Sequence, residues 1–169
     1  MVRMDEGGVD KVPFDSATYV QRSLEGPCFV CAILGGNPDY PHHDVYESEA
    51  TIAFLVRFPM LLAQCVVAPK RHVESWIADL DEGEFLELQR EVRRVGVAIA
   101  ATVPTERMYL LSLGSREGNA HVHFQLAPLP PGVPYRDQQL HALLSERGVL
   151  DVDDASQAAL ATRIRRNLE

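Results

Sequence analysis

Basic residues are scarce in this chain: 16 Lys and Arg stand against 24 Asp and Glu, a formal net charge of -8 over 169 residues. Binding the nucleic-acid backbone requires clustered cations, so this balance excludes a nucleic-acid partner. Also missing is any apolar run near the roughly 20 residues that a membrane-spanning helix needs, which excludes a membrane partner. The stretch MVRMDEGGVDKVPFD at the start carries no hydrophobic segment, so no secretory signal is expected and the protein is placed in the cytoplasm. Cysteine is limited to Cys28, Cys31 and Cys65. An odd, low count in a reducing compartment excludes a disulfide framework and leaves metal or redox chemistry open. The remaining composition is ordinary, with 46% hydrophobic residues, enough for one domain with its own core.

Three segments follow from the patterning. Residues 1–16 are polar and read as a flexible lead-in, residues 17–136 as the main domain, and residues 137–169 as a C-terminal helical extension. TIAFLVRF from Thr51 and CVVAPKRH from Cys65, separated by Pro59, predict adjacent antiparallel strands. Asp81 and Glu84 form a capping box. Phe85, Leu88, Val92, Val95 and Ile99 then recur every three or four residues, predicting one long helix ended by Pro104. RMYLLSL (107–113) and AHVHFQLA (120–127) predict two further strands around the polar turn SREGN. Leu160, Ile164 and Leu168 fall four apart and predict a C-terminal amphipathic helix. The order of elements defines an α+β fold with an antiparallel sheet of about five strands, and not a βαβ array.

Two groups of residues carry chemistry. Alternation along 120–127 sends His121, His123 and Gln125 to one face and Val122, Phe124 and Leu126 to the other. The glycine and asparagine of the preceding turn, Gly118 and Asn119, offer donors beside the imidazoles, as an incoming phosphate needs. An imidazole is neutral near pH 7 and nucleophilic, so it can attack phosphorus. The second group is Cys28-Phe29-Val30-Cys31. A CxxC pair by itself fits zinc, a redox couple or inert thiols. Zinc would need two more ligands, to be found among His42, His43, His72, His121, His123 and His141. His72 closes a predicted strand, where a side chain can be aimed at a site; His42 and His43 read as surface residues and His141 as a helix-face residue.

Taken together, CFVCAIL, IAFL with Pro59, VVAPKRH and GNAHVHFQLAPLPPGVPY resemble the histidine-triad (HIT) superfamily, over about Cys28 to Tyr135. The resemblance makes 17–136 a HIT-like domain. The motif here is His-x-His-x-Gln, with Gln125 at the third histidine's place. That form is similar to the branch containing galactose-1-phosphate uridylyltransferase and dinucleoside polyphosphate phosphorylases, whereas the surrounding text looks more like short bacterial HIT hydrolases. The resemblance implies a nucleotidyl hydrolase or transferase acting on the α-phosphate of a nucleoside phosphate ester, anhydride or phosphoramidate. His123 would be the nucleophile, and Gln125, Gly118 and Asn119 would contact the phosphate. Phe29 and Ile33 would line the base pocket. It further implies a structural Zn2+ held by Cys28, Cys31, His72 and His121, a small-molecule nucleotide substrate, and a homodimer formed through the long helix and a neighbouring strand.

Two departures stand out. Where many members carry Asp or Asn to grip the ribose hydroxyls, this chain has Val56, then Arg57. Where many have Gly-His, it has Ala63-Gln64. Val56 and Gln125 keep a second reading open, a nucleotide-binding or regulatory module with little catalysis; a thiol redox protein using Cys28 and Cys31 is a third. Cys65 reads as a small buried apolar residue.

Overall fold

A computed structural model describes residues 9–168 of the chain. Its centre is a five-stranded antiparallel sheet. In chain order its strands are β2 (Asp44–Glu47), β3 (Thr51–Leu55), β4 (Cys65–Pro69), β5 (Arg107–Leu111) and β6 (Phe124–Leu129), arranged β2-β3-β4-β6-β5. The α+β reading with one long helix and a C-terminal helix is thus what the structure shows.

Every residue of β3 and β4 is buried, because both faces of the sheet are covered. Ala53, Leu55, Cys65, Val67, Phe124 and Leu126 face the main core. The long helix α3 (Glu82–Thr102) lies on that face with Leu88, Val92, Val95 and Ile99 buried, as the apolar stripe predicts. Its capping box is complete: Glu84 N donates to Asp81 Oδ1 at 2.8 Å, and Asp81 N to Glu84 Oε2 at 3.0 Å. Alternate residues Ile52, Phe54, Val66 and Ala68 point to the opposite face, against Val30 and Ile33 of the short helix α2 (Phe29–Leu34). This second face carries the cleft described below.

The first and last described segments pack on the same body. Residues 1–8 of the expected lead-in lie outside the described residues. Beyond them, β1 (Lys11–Val12) pairs with β7 (Val149–Leu150), and α1 (Ser16–Glu25) follows, capped by Asp15, whose carboxylate accepts from Thr18 N at 3.0 Å. The segment expected as a helical extension holds three 3-10 turns between Tyr135 and Arg147, then β7 and α4 (Asp154–Arg166). Leu160, Ala161 and Ile164 of α4 enter the main core beside α3, and Leu168, just past the helix, packs against it. Arg163 donates to the carbonyl of Thr102 at 2.8 Å.

One strand starts later than its alternation predicts. The β4–β6 ladder runs only from Cys65↔Leu126 to Val67↔Phe124, so His121 and His123 lie in an extended segment ahead of β6. Pro69 closes β4 without an N–H to continue the ladder. Val122 N bonds instead to Val73 O at 2.7 Å.

Candidate active site

His123 is buried, and its Nδ1 lies 2.7 Å from the carbonyl oxygen of His121. A carbonyl only accepts, so Nδ1 carries the proton and Nε2 keeps its lone pair. Burial lowers the His123 pKa below the ordinary imidazole value, against the opposing effect of that backbone bond, so the ring is neutral near pH 7. The Phe29 ring stands edge-on to it, with centroids 5.3 Å apart.

His123 lines a cleft of about 190 Å³ on the α2 face of the sheet. Phe29, Ile33, Phe54, Val56 and Val66 make its apolar floor; His123, Gln125 and Asn119 supply polar atoms. Helix α1 contributes Tyr19, Arg22 and Ser23 to the walls, a contribution the sequence reading missed. The signal was present in Asp15, an N-cap residue immediately before SATYVQRSLE, whose carboxylate accepts from Thr18 in the first turn.

Gln125 is held by a second buried amide. Gln64 Oε1 accepts from Met60 N at 3.0 Å, and Gln64 Nε2 donates to Gln125 Oε1 at 3.1 Å. This chain of bonds fixes which end of Gln125 is a donor, and leaves its Nε2 for the cleft. Ala63, immediately before, adopts φ 63°, a left-handed backbone that a glycine would enter without strain. Gln64 was recognised in the sequence only as a departure; its role emerges from the contact with Gln125. A Gln64→Leu variant leaves Met60 N and Gln125 Oε1 without these partners and is expected to cost about 2 kcal/mol in a denaturant titration.

The turn at 114–119 is tight. Ser115 and Gly118 exchange backbone bonds at 3.1 and 3.2 Å, and Asn119 takes φ 54°. The Gly118 N–H donates to Ser115 O, and Gly118 is not among the residues that line the cleft. Gly118 packs instead against α1, where a Cβ would come within 2.9 Å of Ser23 O. Asn119 does line the cleft, and its Nδ2 donates to Tyr19 Oη at 3.1 Å.

Beside the cleft, Cys28, Cys31, His72 and His121 converge, with their four ligand atoms all within 4.8 Å of one another. His121 Nδ1 lies 3.4 Å from Cys28 Sγ and 3.8 Å from Cys31 Sγ, and His72 Nδ1 is 3.4 Å from Cys31 Sγ. These separations match the edges of a tetrahedron around a zinc-sized ion, about 3.3–3.8 Å for the usual Zn–N and Zn–S bonds. His121 Nε2 donates to Pro69 O at 2.8 Å, so its Nδ1 lone pair points at the cysteines. Burial pushes the His121 pKa down to about 4, which keeps that lone pair free. Burial, then the neighbouring Cys28, raises the Cys31 thiol to about 11; a cation among the sulfurs would reverse that. The donor set and spacing fit a metal ion. The remaining histidines are engaged elsewhere: His42 with Asp44 at 3.2 Å, His43 with Asp154 at 2.9 Å, and His141 with the carbonyl of Arg136 at 2.7 Å. Unlike the surface residue expected, His42 also lines the cleft. Cys65 is fully buried in the main core.

This fold is found in solved histidine-triad structures. A hypothetical histidine triad nucleotide-binding protein from Sulfolobus tokodaii matches with a TM-score of 0.67 at 24% identity, over 83% of this chain and 91% of the other. A zinc-bound histidine triad family protein from Mycobacterium smegmatis matches with a TM-score of 0.63 at 18% identity, over 83% and 92%. In sequence, an uncharacterized HIT-like protein from Saccharolobus solfataricus is 26% identical over 104 residues, covering 60% of this chain and 73% of that protein. A second, from Mycoplasma genitalium, is 24% identical over 112 residues, covering 66% and 77%. No family model matches the chain. The chain is thus similar in sequence to HIT-like proteins and shares the fold of solved histidine-triad structures.

Proposed function

We propose that this protein is a HIT-type nucleotidyl hydrolase or transferase that works through a covalent nucleotidyl-His123 intermediate. The observation that carries the reading is the bond from His123 Nδ1 to the His121 carbonyl, which presents an unprotonated Nε2 to the cleft. In the first step Nε2 forms a bond to the α-phosphorus. The bond from that phosphorus to the leaving group breaks, and the leaving group takes the electron pair. The positive charge gained by the ring is stabilised by the carbonyl at Nδ1. Water or another acceptor then attacks the same phosphorus, and the N–P bond breaks to restore the imidazole. Gln125 Nε2 and the Asn119 amide are the donors available to the non-bridging oxygens.

Gln125 can donate a hydrogen bond but cannot deliver a proton at neutral pH. Substrates with good leaving groups, polyphosphates or acyl-type anhydrides, should therefore turn over faster than simple alkyl esters. Gln125→His is expected to narrow that gap, read as the ratio of kcat/KM for the two classes. Faster turnover of alkyl esters by the wild-type protein would count against the reading. Trapping a labelled nucleotidyl-enzyme adduct tests the covalent step itself; nucleotide binding with no adduct would mean a binding module.

Zinc is proposed for the Cys28, Cys31, His72 and His121 cluster. Four protein ligands leave no open position, so the ion would brace the segment ahead of β6 and supply no Lewis-acid chemistry. A homodimer through α3 and β5 belongs to the same proposal. It is supported by the free edge of β5 with Leu110 exposed, and by Leu86 and Val97 exposed on α3.

A further inference from the structure

We infer that the cleft contains a second anion subsite, built by Arg22 and Arg57, and that the substrate is a nucleotide carrying an additional phosphomonoester on its sugar. This inference rests on the nucleotide reading above and names the substrate class for it.

Both guanidiniums belong to the cleft wall. Arg22 comes from α1 and Arg57 from just beyond β3, and they converge on one acceptor. Arg22 Nη2 donates to the Asp39 carbonyl oxygen, and Arg57 Nη1 reaches the same oxygen at 3.5 Å. One carbonyl cannot satisfy two groups with five donors each. Each cation also rests against an aromatic ring, Arg22 4.2 Å from the centroid of Tyr40 and Arg57 5.2 Å from that of Phe58, which restricts where it can go. The pair is therefore pre-positioned and has donors to spare.

Among the described residues neither Arg22 nor Arg57 pairs with a carboxylate, whereas Arg71, Arg90, Arg94, Arg136 and Arg147 do. Arg93, Arg107, Arg116, Arg163, Arg165 and Arg166 also lack an ion pair, but none of them lines the cleft. Among the described residues no acidic side chain lines the cleft. Nearby, Asp44 faces His42, and Asp39 meets the two guanidiniums through its backbone carbonyl. In a chain of net charge -8, a cleft with two unpaired guanidiniums and no acid runs against the composition. Bringing two like charges to one oxygen is unfavourable until an anion joins them.

Val56, beside them, offers no acceptor to sugar hydroxyls. A phosphate there meets two planar forks whose geometry suits its oxygens. The reacting α-phosphate does not fill this role, because its donors are Gln125 and Asn119. The second anion thus sits on the sugar, above the apolar floor made by Phe54 and Val56.

The test is calorimetric binding of the four common ribonucleoside 5′-monophosphates, each compared with its 3′,5′-bisphosphate, 2′,5′-bisphosphate and 5′-diphosphate. At least one bisphosphate is expected to bind about tenfold or more tightly than its monophosphate. That preference should shrink as salt is raised, because both arginines are exposed. In Arg57→Gln, and separately in Arg22→Gln, the ratio should fall toward one. Arg57→Gln carries the test if loss of Arg22 releases α1. A monophosphate that binds with no gain from either bisphosphate overturns the subsite and leaves the nucleotide reading standing. An equal gain from the 5′-diphosphate overturns its placement on the sugar. A ratio unchanged in both variants overturns the assignment to these arginines, and no nucleotide binding at all overturns both readings.

Discussion

Replacing His123 by alanine is expected to lower kcat by at least about a thousandfold and to abolish the nucleotidyl-enzyme adduct. The size of the effect follows from what the residue would do. Without Nε2 the other candidate nucleophiles of the cleft are engaged elsewhere: Tyr19 Oη accepts from Asn119, Ser23 Oγ donates to Tyr19 O, Tyr40 Oη to Pro27 O, and His42 contacts Tyr40 O and Asp44. Only binding and oxyanion contacts would remain. The fold should tolerate the change, because His123 lies on the cleft face and the main core is built by its neighbours Val122 and Phe124. Nucleotide affinity should fall far less than kcat. Single-turnover kinetics with a labelled substrate, alongside circular dichroism of the variant, separate these outcomes. A variant that stays within tenfold of wild type rules out the covalent route.

Cys28→Ser is expected to lower the melting temperature by about 10 °C, or about 4 kcal/mol for a chain of this size. A structural metal site contributes folding energy directly, because its ligands come together only in the folded state. Here the ligands lie far apart in the chain, at 28, 31, 72 and 121, so the ion would tie α2, the end of β4 and the segment before β6 into one unit. Loss of that tie should also lower kcat, since His121 supplies both a ligand and the carbonyl that orients His123. Elemental analysis of the wild-type protein should give one equivalent of zinc, and of the variant none. Two titratable free thiols with no metal would instead favour redox chemistry at Cys28 and Cys31. Unchanged melting after complete chelation would show that the cluster has no structural role.

Much of the fold is legible in the sequence because local rules and tertiary packing agree there. Asp81 and Glu84 announce a helix start, and the stripe from Phe85 to Ile99 has only one arrangement that buries it. The site is legible in part. His121, His123 and Gln125 alternate over four residues, and Cys28 and Cys31 are close in sequence, so local spacing sufficed to single them out. Gln64 and Arg22 escaped for the opposite reason. A buried glutamine and an exposed arginine have no local pattern; each matters through a partner distant in the chain, 61 residues away for Gln64 and 17 for Arg22.

By itself the sequence determined the α+β class, the long helix, the apolar and polar faces of the His121–Gln125 segment, and an acidic balance hostile to nucleic acid. Those follow from composition and from periods of two and 3.6 residues, which local geometry imposes. Only the tertiary structure decided that the β4–β6 ladder stops at Phe124, that Gly118 packs against α1, that four ligands meet at one point, and that two arginines share a carbonyl with no carboxylate partner among the described residues. Each of these depends on segments brought together across the sheet, and no local period encodes such a meeting.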